Sequence, residues 1–176
     1  MADKLLKADH RAANAGAMRM LPNQKVVVLI DDNNLTICAN GRHQRDIDYG
    51  KLLEPVGPRE ILRAILYRPA TRERPFPSDL RDAVGQEFGI EVKTPPKNVD
   101  CWLTIDAVSL AAKADVVALV AGDGDYEPLV HYLKTQGCRV EVLSWGDKIA
   151  QRLREAADRY VQLDRSIVKP FSTVPV

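Results

Sequence analysis

Val116-Val117-Ala118-Leu119-Val120 is a short apolar run that opens through Ala121-Gly122-Asp123-Gly124-Asp125-Tyr126 into Glu127-Pro128-Leu129-Val130-His131-Tyr132-Leu133, a segment of helical character. A buried strand that passes through glycines into a helix is how an α/β protein sets reactive groups at the carboxyl edge of its sheet. Asp123 and Asp125 concentrate negative charge at that edge, and oxygen-rich sites of this kind suit hard cations such as Mg²⁺ or Mn²⁺. Aspartates before a helix are also common caps, and Asp125 is placed to bond the first free amides of the next turn. On this turn alone the two readings stand level.

Working outward, the chain alternates strands and helices. Lys25-Val26-Val27-Val28-Leu29-Ile30 is a first strand of the continuous β-branched kind that is buried on both faces, and it delivers Asp31-Asp32-Asn33-Asn34 to its carboxyl end. Asp48 is placed to cap a helix over Tyr49–Leu53. The segment from Ile61 reads as a short helix and then a second strand, Ala64–Tyr67. Ser78 caps a helix through Phe88, and Ile90–Lys93 is a third strand. Asp100 opens a helix that runs to about Lys113 and leads into the strand quoted first. Arg139–Leu143 is a fifth strand, Asp147 caps a last helix to Asp158, and Tyr160–Leu163 is a short edge strand.

This alternation predicts an α/β three-layer sandwich, Rossmannoid, with a central, mostly parallel sheet of about five or six strands. The domain is expected over residues 25–164. Residues 1–24 are expected to form a mobile or weakly helical extension, and residues 165–176 a disordered tail.

The chain has 176 residues and a net charge of +1, so binding to nucleic acid has to come from a local patch of cations. Cys38, Cys101 and Cys138 lack metal-ligand spacing and form an odd set, which fits a reduced, cytoplasmic setting. No apolar stretch approaches the roughly 20 residues of a membrane span. The extension has no apolar core of the secretory kind; it is the segment through which a homodimer or a protein partner would be engaged.

In a parallel sheet every post-strand loop lies at one edge, so Asp31 shares an edge with Asp123 and Asp125. They share a site if the first and fourth strands are neighbours, as in a sheet that reverses direction at its first strand. Asp100 starts a helix that crosses back from the same edge. Four carboxylates gathered there repel one another without a cation, which favours metal over capping. Asp106 lies roughly 9 Å along the helix axis and about 120° round from Asp100, so the two do not share one ion. Asp106 reads as an outer or helix-packing residue, paired with a Lys or a backbone amide. Asn34 either binds a water or phosphate oxygen or caps its helix.

The order of these segments resembles that of the NYN nuclease domain, in its LabA-like (DUF88) branch. Ile30-Asp31-Asp32-Asn33-Asn34-Leu35 is similar to the family's I-D-x-x-N-L opening, and Ile47-Asp48-Tyr49-Gly50-Lys51-Leu52 to its D-Y-x-K-L segment. Lys97-Asn98-Val99-Asp100 through Asp106 resembles its K-G-x-D-x-x-L-x-x-D helix, and Gly122–Leu129 its S-G-D-x-D-F-x-P-L turn. Ala121 replaces the frequent Ser, and Asn98 the usual Gly. The resemblance implies a PIN-like fold and a metal-dependent ribonuclease. It makes Asp31, Asp100, Asp123 and Asp125 the carboxylates that hold Mg²⁺ or Mn²⁺, with Asn34 assisting.

RNA, single-stranded, is then the expected partner. Arg42 and Arg45, Arg68, Arg72 and Arg74, and Lys93 and Lys97 occupy loops or strand ends at the acidic edge and would track its backbone. Trp145 either stacks an unpaired base or packs the last helix against the sheet. The rival function is a non-catalytic RNA-binding or regulatory module that keeps the acidic pocket. Two other catalytic classes fail on residues. A receiver domain needs an Asp after the third strand, where this chain has Lys93-Thr94-Pro95. A HAD-type phosphatase needs D-x-D after the first strand, which Asp31-Asp32-Asn33 does not supply.

Overall fold

β1 (Lys25–Asp31) is buried from Val26 onward, and its side chains alternate between two apolar layers. Val26, Val28 and Ile30 join one core cluster, and Val27 and Leu29 the other. That alternation follows from the two-residue period of a strand and makes β1 the centre of a three-layer α/β/α stack. The coordinates are a computed structural model, which describes residues 22–37, 47–69 and 78–169.

The other strands are β2 (Glu60–Tyr67), β3 (Ile90–Lys93), β4 (Val116–Val120), β5 (Arg139–Trp145) and β6 (Arg159–Leu163). They form one sheet in the order β3-β2-β1-β4-β5-β6, with every pairing parallel. The chain winds outward in one direction from β1 and then in the other from β4. The β1–β4 boundary is therefore the switch point at which open α/β sheets bind ligands.

One face is covered by α1 (Asp32–Ile37), α2 (Tyr49–Leu53) and α3 (Ser78–Phe88), through Leu35, Tyr49, Leu52 and Val84. The other is covered by α4 (Val99–Ala111), α5 (Glu127–Thr135) and α6 (Gln151–Ala156), through Leu103, Ala107, Val130 and Leu153. Asp48 caps α2 as expected, its carboxylate accepting the Lys51 amide at 3.1 Å. No described helix is long and apolar enough to cross a membrane.

The structure corrects the sequence reading in several places. Glu60–Tyr67 is strand throughout, because β2 pairs with β1 along its whole length and with β3 over its last four residues; ladder bonds override an apolar run that suits either period. The last helix is shorter than expected and starts after Ala150, which makes no side-chain cap, whereas Asp147 lies exposed in the preceding turn. The ordered domain also runs past residue 164. A 3-10 turn at Arg165–Ile167 buries Ile167, and Val168 bridges to Ile47. The extension before residue 22, Cys38, and Arg42, Arg45, Arg72 and Arg74 lie outside the described residues.

Candidate functional site

Asp31 closes β1 and is 2 % exposed. Its Oδ1 accepts the Asn34 amide at 3.1 Å, the bond of a residue that caps α1. Its Oδ2 accepts Asn34 Nδ2 at 2.7 Å and lies 2.9 Å from the Tyr126 hydroxyl. The same hydroxyl lies 2.8 Å from Oδ1 of Asp100, in the first turn of α4. Three stations far apart in sequence thus meet at one phenol: the end of β1, the start of α4 and the turn after β4.

A phenol carries one hydrogen, so it donates to one carboxylate at a time. Burial raises the pKa of Asp31, against the hydrogen bonds from Asn34 and Tyr126, and Asp100 adds to the rise. The same burial and the two carboxylates raise the pKa of Tyr126, which stays a neutral donor. The arrangement is a pair of acids held together by one proton-bearing group.

Asn34 spends both ends of its amide. Its nitrogen serves Asp31, and its oxygen accepts the Gly122 amide at 3.0 Å. It ties the end of β1 to the end of β4. Gly122 is needed there: a Cβ would stand 2.7 Å from the Lys148 carbonyl oxygen, in the loop that follows β5. Asn98, where the resembling family has Gly, sits at φ 53° and ψ 62°, immediately before α4. Asn is among the few L residues that tolerate this left-handed conformation, so the substitution keeps Asp100 in the first turn.

Asp123 and Asp125 reach the same edge but are engaged elsewhere. Asp123 is exposed and accepts the Asp125 amide at 3.0 Å, which caps a 3-10 turn over Gly124–Tyr126. Asp125 is exposed and pairs with Arg152 of α6 at 2.6 Å. Two of the four expected carboxylates therefore meet, and two stand on the adjoining loop. Among the described residues no three His, Cys, Asp or Glu side chains group as ready ligands for a metal. The chemistry of Asp31 and Asp100 nevertheless fits Mg²⁺ or Mn²⁺, since Mg²⁺ is commonly held by one or two carboxylates with water and substrate phosphates completing the shell.

Asp106 is set apart from this pair. It accepts the Tyr67 hydroxyl at 2.6 Å and the Lys93 ammonium at 2.7 Å, the lysine pairing that its place on α4 suggested. Lys93, offered as an RNA contact, is thereby committed to Asp106. Arg68 is likewise committed to Asp32 at 2.9 Å, with its side chain 14 % exposed. Lys97 is exposed. Trp145 is corrected in both of its readings. Its indole lies in the core on the α1 side of the sheet and donates to the Leu35 carbonyl at 3.0 Å, at the end of α1 where helix carbonyls lack partners.

Sequence reasoning placed Asp32 and Arg68 at this edge but missed that they pair, and it gave Tyr126 no role. Tyr126 carried a readable signal: a tyrosine at a buried strand-to-helix junction has to place its hydroxyl on a partner. Asp32 is fully buried, and burial raises its pKa to about 7 against the pull of the Arg68 charge.

A profile of the NYN domain matches residues 25–164. The low amplitude and bright protein LabA of Synechococcus elongatus is 33 % identical over 87 residues, which cover 45 % of this chain and 47 % of LabA. The match thus spans about half the length of that relative. A solved structure of a Vibrio parahaemolyticus protein of unknown function superposes with a TM-score of 0.72 at 24 % identity, over 86 % of this chain and 99 % of that one. With the segment order, the doubly wound sheet and the acidic edge all in agreement, the chain belongs to the NYN domain family and has a PIN-like α/β fold.

Proposed function

We propose that this protein is a metal-dependent ribonuclease that cleaves single-stranded RNA at the β1–β4 edge. The observation that carries the reading is the meeting of Asp31 and Asp100 at one hydroxyl, at the switch point of the sheet. Bound there, Mg²⁺ or Mn²⁺ would supply a nucleophilic water at neutral pH and neutralise charge on the scissile phosphate. Asp31 and Asp100 would hold the cation, and Asp123 and Asp125 would complete its surroundings from the adjoining loop. Asn34, bonded to Asp31 and Gly122, would keep the two strand ends at a fixed spacing. Lys97, with Arg72 and Arg74, would supply charge for the RNA backbone.

The second reading is a module that binds RNA without cutting it. It draws support from the Arg152–Asp125 pair, which holds one of the four acids with a cation of the protein's own. Incubating labelled single-stranded RNA with the purified protein separates the two. Cleavage that depends on Mn²⁺ or Mg²⁺ and stops with EDTA is the expected result. Retention of intact RNA across varied sequences and both metals would favour the binding module.

A further inference from the structure

We propose that the Tyr126 hydroxyl is a placeholder for the cation: it bridges Asp31 and Asp100, and a divalent ion held by these two acids would displace it. The inference rests on the metal reading above and adds a residue that sets the affinity of that site.

The geometry distinguishes Tyr126 from the other partners of Asp31. Both Asn34 bonds come from three residues along the same turn and brace the carboxylate whatever lies opposite. Tyr126 arrives from 95 residues away, and among the described residues it is the one that hydrogen-bonds to both acids. Its oxygen occupies the position from which both carboxylates are within hydrogen-bonding distance. A cation of the Mg²⁺ class takes oxygen ligands at about 2.0–2.1 Å, and Asp31 and Asp100 would be the carboxylates that hold it. A neutral phenol and a cation compete for that position.

The placeholder also accounts for the two acids that stand apart. Tyr126 ends the 3-10 turn that Asp123 caps and that contains Asp125. Tyr126 is 2 % exposed, so a displaced hydroxyl would press on the turn that carries it. While Tyr126 is bonded to Asp31 and Asp100, the turn is held with Asp125 against Arg152. Displacement of the hydroxyl would let the turn shift and bring Asp123 and Asp125 nearer the two acids.

Tyr126→Phe removes the hydroxyl and keeps the buried ring, so the core is preserved. Titration of both proteins with Mn²⁺ by calorimetry should show the Phe variant binding about tenfold more tightly, the factor that the weakest hydrogen bonds to charged groups are worth. In EDTA the variant should melt a few degrees below the wild type, with the difference narrowing in Mn²⁺. A tyrosine near-ultraviolet difference spectrum should also appear on Mn²⁺ addition to the wild type and shrink in the variant. Equal or weaker Mn²⁺ binding by Tyr126→Phe beside a wild type that binds would overturn the placeholder and leave the metal reading standing. A wild type that takes up no Mn²⁺ would overturn both.

Discussion

Replacing Glu141 by Leu is expected to cost about 3–5 kcal/mol of stability. Glu141 is 1 % exposed on β5 and receives both Arg59 terminal nitrogens at 2.9 and 3.1 Å, with Arg139 and Arg159 completing its shell. The Arg59 side chain is fully buried, and its Nε donates to the Val56 carbonyl. Removing the carboxylate strands that guanidinium in an apolar layer. For a chain of this size the loss corresponds to a fall in melting temperature of roughly 10 °C, readable by calorimetry. Replacing Arg59 and Glu141 together by apolar residues should recover most of it, because the uncompensated charge is gone.

The same group predicts an acid dependence. Burial pushes the Glu141 pKa up, but the bonds from Arg59 and Arg139 and the charges of Arg59 and Arg159 outweigh it, and the net shift is downward. A depressed carboxylate pKa means that the unfolded chain binds protons more readily than the folded one. The stabilisation is therefore complete above the unfolded value and is lost as pH falls through the lower folded value. Glu141→Gln should flatten the acid limb of the stability curve. An unchanged limb would assign acid unfolding to other carboxylates.

The second large effect is on activity. Asp31→Asn and Asp100→Asn should each reduce RNA cleavage on the order of 100-fold or more, since each removes a carboxylate proposed to hold the cation that would neutralise charge on the scissile phosphate. Asp106→Asn should cost less than about tenfold, because its carboxylate already serves Lys93 and Tyr67. Melting curves run alongside separate a lost site from a lost fold. An Asp106 variant as impaired as the Asp31 variant would move the chemistry down α4.

The sheet was legible because its central strands, β1 and β4, are uninterrupted apolar runs, and the separation of the strands by helices leaves little choice but parallel pairing. The place of the site followed from that order, since Asp31 and Gly122 close strands that pair directly. What stayed hidden depends on partners remote in sequence. Glu141 sits between two valines and resembles a solvent-facing position of an alternating strand. Its burial is possible only because Arg59, 82 residues earlier, reaches it. Trp145 follows the last apolar residues of a strand, and nothing local tells an indole that stacks a base from one that closes the end of α1. Asp123 and Asp125 read as two members of one acidic set. Their division between a cap and Arg152 is set by α6, which the local motif does not contain.

Asp31 and Asp100 are proposed to hold a divalent cation together. The most direct measurement is a Mn²⁺ titration followed by electron paramagnetic resonance, in which free ion gives the signal and bound ion is missing from it. The wild type and Asp106→Asn should both sequester Mn²⁺, and Asp31→Asn combined with Asp100→Asn should leave the ion free. Mn²⁺ uptake by that double variant equal to the wild type, or no uptake by any of the three, would contradict the account.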